Sequence, residues 1–190
     1  MVYVDDIIFG SNNSSLVQWF ASAMKSVFEM SVLGELSYFL GLQVRQQSEG
    51  MFISQEKYLK EILKKFNMED SKPVGMPMET KCKLNKDDQS PEVDQKSYRS
   101  MIGSLLYLTT SRPNIMQVVG MVGRYQSAPK QSRFSAAKQI LRYLKSTMDY
   151  GLWYPKNQSL QLTAYSYVGW ENCPDQVTMH FSWETLWLLG

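Results

Sequence analysis

The sequence predicts an α+β fold, and three observations predict it. Short runs of β-branched and aromatic residues, as in VYVDDIIF at residues 2–9 and YFLGLQV at residues 38–44, have the length and composition of strands. Longer stretches, at residues 14–30, 54–66, 98–108 and 134–145, repeat apolar residues at three- and four-residue spacing, as helices with one buried face do. The third observation is bulk: 190 residues, 44% hydrophobic and 13% aromatic, suffice for a domain of ordinary size with its own core.

In order along the chain, residues 2–9 read as two short strands around a turn at Asp5-Asp6. Gly10, Ser11, Asn12 and Asn13 break the chain, with Asn13 or Ser14 as a helix cap. The following helix, 14–30, is expected to bury Leu16, Trp19, Phe20, Ala23 and Val27. Residues 38–44 read as one strand and Met51, Phe52 and Ile53 as its return, joined by the turn Ser48-Glu49-Gly50. Ser54 is the expected cap of a helix that buries Leu59, Ile62, Leu63 and Phe66 and leaves Lys57, Lys60, Lys64 and Lys65 outside. Residues 69–92, with Pro73, Pro77, Pro91 and many charges, read as a linker. Met101, Leu105 and Leu108 mark the next buried face. Pro113 suits the first turn of a helix burying Ile115, Val118, Val119 and Val122. After Pro129, Phe134, Ala137, Leu141 and Leu144 point inward from another helix, and residues 152–154 and 160–167 read as a pair of strands.

Composition excludes several classes. The formal net charge is +2, so total charge by itself does not announce a nucleic-acid partner. Cys82 and Cys173 are too far apart for a disulfide framework, and one histidine, His180, makes a zinc site improbable; a reducing, intracellular setting fits best. No apolar run approaches the roughly 18 residues of a membrane span, and the N-terminus lacks the basic region of a signal peptide.

The chemistry-bearing feature is Asp5-Asp6. Two carboxylates at a hairpin tip repel one another unless something neutralises them, and their hard oxygen donors suit magnesium or manganese. A plain solvated turn is the competing reading, but apolar strands on both sides of Tyr-Val-Asp-Asp favour a metal-binding hairpin. A second feature is basic. Arg124, Lys130, Arg133, Lys138, Arg142 and Lys145 occur without an intervening acid, and Lys138, Arg142 and Lys145 fall near one helical stripe. That stripe is either a contact surface for nucleic-acid phosphates or a solvated helix face.

The YVDD hairpin resembles the polymerase motif of reverse transcriptases. LGELSYFLGLQV at residues 33–44, FISQEKYLKEILKKFNM at 52–68, YRSMIGSLLYLTTSRPNI at 98–115 and AAKQILRYLKSTMDYGLWY at 136–154 narrow the likeness. In order and spacing they resemble the Ty1/copia class of retrotransposon Pol polyproteins, and short plant reading frames, some labelled uncharacterised mitochondrial proteins, that carry this stretch. The resemblance implies RNA-directed DNA synthesis in the intact enzyme, with magnesium or manganese and an RNA or DNA template–primer. It implies metal binding by Asp5, with Asp6 less consistently a ligand, and places Tyr3 beside the primer terminus. The hairpin at 39–44 would be the primer grip, with Phe39, Leu40 and Gly41 at its tip. It divides the chain into the end of the palm (1–53), the start of the thumb (54–68), a linker (69–95), a helical thumb and connection (96–150) and a ribonuclease H-like start (151–190).

The sequence also departs from that family. Only four residues precede Asp5, so the earlier palm strand with its metal-binding acid, and the fingers, are not found; Asp70, Asp87, Asp88 and Asp94 lie in the linker. Where the family's ribonuclease H strand reads Tyr-Ser-Asp-Ala-Asp-Trp, this chain has Tyr165-Ser166-Tyr167-Val168-Gly169-Trp170, and a tyrosine hydroxyl stays protonated at neutral pH. Residues 177–190 carry no recognisable motif. The expectation is a Pol fragment without activity on its own, self-associating through exposed strand edges near residues 2–9. The alternatives are an enzyme completed by another chain and a non-catalytic nucleic-acid-binding module. An intracellular site is expected, with cytoplasm, nucleus and mitochondrion all open.

Overall fold

Strand pairing and helix caps can be traced residue by residue in the structure, a computed structural model. It describes residues 2–3, 6–11, 13–79, 89–156, 161–166 and 177–182. The fold is α+β, in two compact units formed by residues 1–37 with 155–190 and by residues 38–154.

In the first unit, β1 (Val2–Tyr3) pairs antiparallel with β2 (Asp6–Ile7) in the register Val2↔Ile7 and Tyr3↔Asp6. Asp6 therefore belongs to a strand and not to the expected turn, because it stands opposite Tyr3 in that register. Helix α1 (Ser14–Val27) starts at Asn13, whose Oδ1 accepts from the Ser15 N–H at 2.9 Å. It stops short of the expected Met30 because Phe28 is extended, at φ −124° and ψ 147°. The expected buried face is not buried: Trp19 is 68% and Val27 72% exposed, and Leu16 is exposed too. Helical spacing specifies which residues share a face; covering that face is a separate matter. Phe20 meets the Phe9 ring, with centroids 4.8 Å apart. The strands β7 (Gln161–Ser166) and β8 (Val177–Ser182) pair antiparallel, with His180 opposite Thr163. The expected pairing of 160–167 with 152–154 is thus replaced, since β7 takes β8 as its partner. Tyr167, Val168, Gly169 and Trp170 lie outside the described residues.

The second unit contains a four-stranded sheet in the order β3-β4-β5-β6, formed by Tyr38–Phe39, Leu42–Gln47, Gly50–Ser54 and Gly151–Pro155. Residues 38–44 are not one strand. Phe39 pairs with Leu42, and the chain reverses through Leu40 and Gly41, both at positive φ (48° and 78°). Positive φ at both central residues belongs to the primed turns, whose twist matches a hairpin. β6 lies beside β5 because residue 151 has no side chain. A Cβ on Gly151 would stand 2.3 Å from the Ile53 carbonyl oxygen and 2.7 Å from the Phe52 ring.

The helices follow the expected faces. Helix α2 (Glu56–Lys65) buries Leu59, Ile62 and Leu63 and exposes its lysines. Its cap is not Ser54: the N-cap position is Gln55, and the Lys57 amide is held by Gln43 Oε1 from β4 at 2.7 Å. At its other end Asn67 takes a left-handed φ of 54°, while the Asn67 and Met68 amides return to the carbonyls of Lys64 and Leu63. Helix α3 (Gln95–Leu108), a 3-10 turn (Pro113–Ile115), α4 (Met116–Gly123) and α5 (Gln131–Ser146) complete a core. Tyr98, Met101, Ile102, Leu105, Leu108, Ile115, Val119, Val122, Ala137, Ile140, Leu141 and Leu144 are sealed from solvent in it.

Two buried polar groups are satisfied in this core. The Tyr98 hydroxyl donates to the Val122 carbonyl at 2.8 Å, and burial pushes it up to about 12. Arg112 donates to the Thr147 carbonyl (2.8 Å) and to Thr147 Oγ1 (2.5 Å) and lies 5.5 Å from the Tyr150 ring. Burial lowers its proton affinity, opposed by Tyr143, Asp149 and Tyr150. The expected linker is hydrogen-bonded to helices at both described ends. Around 90–93, the Val93 amide donates to the Pro129 carbonyl and the Gln131 amide to that of Pro91.

Tyr98→Phe should cost about 0.5–1.5 kcal/mol, and Leu141→Ala about 2–5 kcal/mol, in urea unfolding. Asp94 caps α3 by accepting from the Ser97 N–H at 2.7 Å, and its hydrogen bonds to Ser97 hold its carboxyl below the usual range. A lowered folded-state value means that the stabilisation is present above the unfolded-state value and is lost as pH falls through the folded one. The stability difference between wild type and Asp94→Ala should therefore shrink when urea midpoints are measured from pH 7 down to about 3.

Candidate nucleic-acid interface

The sharpest local feature of the 38–154 unit is the β3–β4 turn. β-branched or bulky side chains rarely take left-handed φ, at a cost of roughly 1–2 kcal/mol, yet Leu40 does so here with its side chain 41% exposed. The turn is supported from below by Tyr107, in the last turn of α3. Its hydroxyl donates to the Leu40 carbonyl. Its ring lies under Gly41, where an added Cβ would be 3.3 Å from Cε1 and 3.4 Å from Oη. Tyr58 of α2 meets the Tyr107 ring edge-on, at 4.9 Å and 86°. Beneath these, Ser111 Oγ donates to Gln55 Oε1 at 2.7 Å in a fully buried pair, and Gln55 Nε2 reaches the Tyr107 carbonyl at 3.5 Å. Beside the turn, Lys57 Nζ stands 5.2 Å from the Tyr38 ring. Of the residues the sequence nominated, Phe39, Leu40 and Gly41 are brought together here. Tyr107, Gln55 and Gln43 were missed, since a tyrosine on a half-buried helix position and two glutamines carry no motif.

The basic stripe of α5 is engaged with the chain itself. Arg142 Nε donates to the Lys72 carbonyl at 2.7 Å, and Lys145 Nζ to the Ser71 carbonyl at 2.9 Å and to that of Glu69. Ser146 Oγ donates to the Val74 carbonyl at 2.8 Å, so residues 69–74 run along this helix. Lys138 Nζ sits 4.6 Å from the Phe134 ring. These are contacts to neutral carbonyls and a ring, so the positive charge of all three side chains stays unneutralised by any carboxylate that these contacts supply. Lys57, Lys60, Lys64 and Lys65 of α2 are exposed, with Lys60 paired to Glu56 one turn earlier at 2.6 Å.

In the first unit, Asp6 is exposed in β2 opposite Tyr3. Asp5 lies outside the described residues. Among the described residues, no group of three His, Cys, Asp or Glu side chains is gathered. The exposed Asp6 carboxylate is a hard oxygen donor of the kind that suits magnesium or manganese. Among the described residues, no helix is long and apolar enough to cross a membrane.

Comparison with known proteins adds a family to this geometry. Residues 1–80 match the family model described as reverse transcriptase (RNA-dependent DNA polymerase). The chain is 34% identical over 175 residues to the Retrovirus-related Pol polyprotein from transposon RE2 of Arabidopsis thaliana, covering 92% of this chain and 12% of that one. It is 35% identical over 174 residues to an uncharacterized mitochondrial protein of the same plant, covering 91% of this chain and 72% of that one. The Retrovirus-related Pol polyprotein from transposon TNT 1-94 of Nicotiana tabacum is 33% identical over 156 residues, with 77% and 12% covered. No solved structure matches the chain.

Gly41→Ala should destabilise the chain by about 1–2 kcal/mol in denaturant unfolding, because it combines positive φ with the Tyr107 contact. Gly75→Ala, which meets open space at an ordinary φ, should stay within about 0.5 kcal/mol of wild type.

Proposed function

We propose, for a chain that belongs to the reverse transcriptase family of copia-type retrotransposon Pol polyproteins, that it binds an RNA or DNA template–primer and holds the primer's end at the Leu40–Gly41 turn. The observation that carries this reading is the turn itself. A backbone reversal at Leu40–Gly41, held on the Cβ side of Gly41 by Tyr107 and with Leu40 exposed at its tip, offers a nucleic-acid strand a fixed surface to meet. In this reading residues 1–53 are the end of the palm, 54–68 the start of the thumb, 69–95 a linker, 96–150 the helical thumb and connection, and 151–190 a ribonuclease H-like start.

Asp5 and Asp6 are the residues that would hold a divalent cation. When bound, such an ion lowers the cost of charge on the attacking and leaving oxygens of nucleotide transfer. The remaining work belongs to the chain. Tyr3 flanks the carboxylates, the hairpin tip orients the primer end, and lysines and Arg142 attract phosphates as fixed positive charges. RNA-directed DNA synthesis is the activity proposed for the whole polyprotein, of which the chain spans 12% in the two relatives from transposons RE2 and TNT 1-94. Nucleic-acid binding without nucleotide transfer is the second reading, favoured by the outward lysine face of α2.

Fluorescence anisotropy with a labelled template–primer tests the binding. About four phosphate contacts should give roughly a hundredfold loss of affinity between 50 and 200 mM salt. Primer extension on poly(rA)/oligo(dT) separates the two readings. Magnesium-dependent extension lost in Asp5→Ala supports nucleotide transfer at the hairpin, and binding without extension supports the second reading. No salt-dependent binding would sink both.

A further inference from the structure

We infer that Tyr107 is a positioning residue for the Leu40–Gly41 tip, setting where the tip presents itself to a primer end; the inference rests on the reading of that tip as the primer-holding element. The tip has little of its own to hold it. Strand β3 is two residues long, and a hairpin that short has too few cross-strand pairs to fix its direction. Its turn also carries a leucine at φ 48°, a conformation that leucine leaves readily when nothing opposes it.

Tyr107 opposes it in three ways. The hydroxyl fixes the Leu40 carbonyl, and so the plane of the peptide between Leu40 and Gly41. The ring packs against residue 41 on the side to which a Cβ would point, 3.3 Å from that position. Tyr58 closes on the ring from the side at 4.9 Å, leaving it a narrow range of orientations. Tyr107 is itself tied down through its carbonyl to Gln55, whose other amide atom is held by the buried Ser111. Tip orientation is therefore set by a residue 67 positions away in sequence, across the whole linker. The hydroxyl–carbonyl bond is solvent-exposed, so its net contribution to global stability is small. Its effect falls on the direction of the tip.

Tyr107→Phe removes the hydroxyl and keeps the ring, so it tests direction separately from packing. Three quantities are measured on the full chain: amide hydrogen exchange at Leu40, Gly41 and Leu42 with α5 as internal control, the thermal midpoint, and affinity for a template–primer with a recessed 3′ end against a blunt duplex of equal length. Exchange at the tip should rise roughly tenfold with α5 unchanged, and preference for the recessed end should fall about five- to tenfold. The thermal midpoint and the salt dependence should stay as in wild type. Equal loss of affinity for both duplexes with a lowered midpoint would mean a structural buttress only and would overturn the inference. A wild-type preference retained in Tyr107→Phe overturns it as well, leaving the primer-holding reading intact. A wild-type chain with no preference for the recessed end removes that reading and this inference together.

Discussion

Helix α5 has to satisfy two environments at once, and the 38–154 unit is arranged around that requirement. One side, with Ala137, Ile140, Leu141 and Leu144, is sealed in the common core with α2, α3 and α4. Each large side chain buried there contributes about 1.5–3 kcal/mol relative to exposure. That burial fixes the rotation of the helix about its axis. Once the rotation is fixed, Arg142, Lys145 and Ser146 have no choice of direction and meet the carbonyls of residues 69–74. The C-terminal cap does similar work, because Thr147 supplies two acceptors to the buried Arg112. A guanidinium's rigid planar fork suits two such neighbouring acceptors, a geometry that an ammonium does not hold fixed.

The same core reaches the sheet through side chains that no helical or strand pattern marks. Gln43 in β4 caps α2, Gln55 at the β5–α2 junction binds Ser111 beyond α3, and Tyr107 reaches the β3–β4 turn. Hairpin and helices consequently form one compact unit, despite lying on opposite sides of a proline-rich connection in the sequence. The hairpin is thereby joined to α3 through side-chain contacts.

Helices were the part of the fold most readable from residue order, because their buried faces recur within a few positions: Leu59, Ile62 and Leu63, or Ala137, Leu141 and Leu144, are where spacing put them. Strand partners were less so. The union of β6 with β5, and of β7 with β8, depends on residues far apart, and a run such as residues 152–154 looks alike whichever strand it joins. Residue pattern alone hid the break in residues 38–44, because leucine is not a turn residue; the family likeness, which puts Phe39, Leu40 and Gly41 at a hairpin tip, pointed to it. In α1 the apolar stripe was read correctly as a stripe and wrongly as buried. At the interface, Phe39, Leu40 and Gly41 could be picked out through the family likeness, whereas Tyr107 could not, since its role depends on a contact between distant segments. For Lys138, Arg142 and Lys145 the spacing disclosed a common stripe but not the carbonyls of Ser71 and Lys72 or the Phe134 ring that these side chains meet.

The four-stranded sheet has a mechanical consequence. The polypeptide comes into the unit on β3 at one edge and departs on β6 at the other, three inter-strand spacings or about 14 Å away. The unit is thus threaded through its sheet, and tension along the chain is carried first by the outer strands, ahead of the helical core. On the β6 side the seam holds only because Gly151 presents no methyl group to the Ile53 carbonyl and the Phe52 ring. That seam is where the outgoing chain is fastened to the sheet.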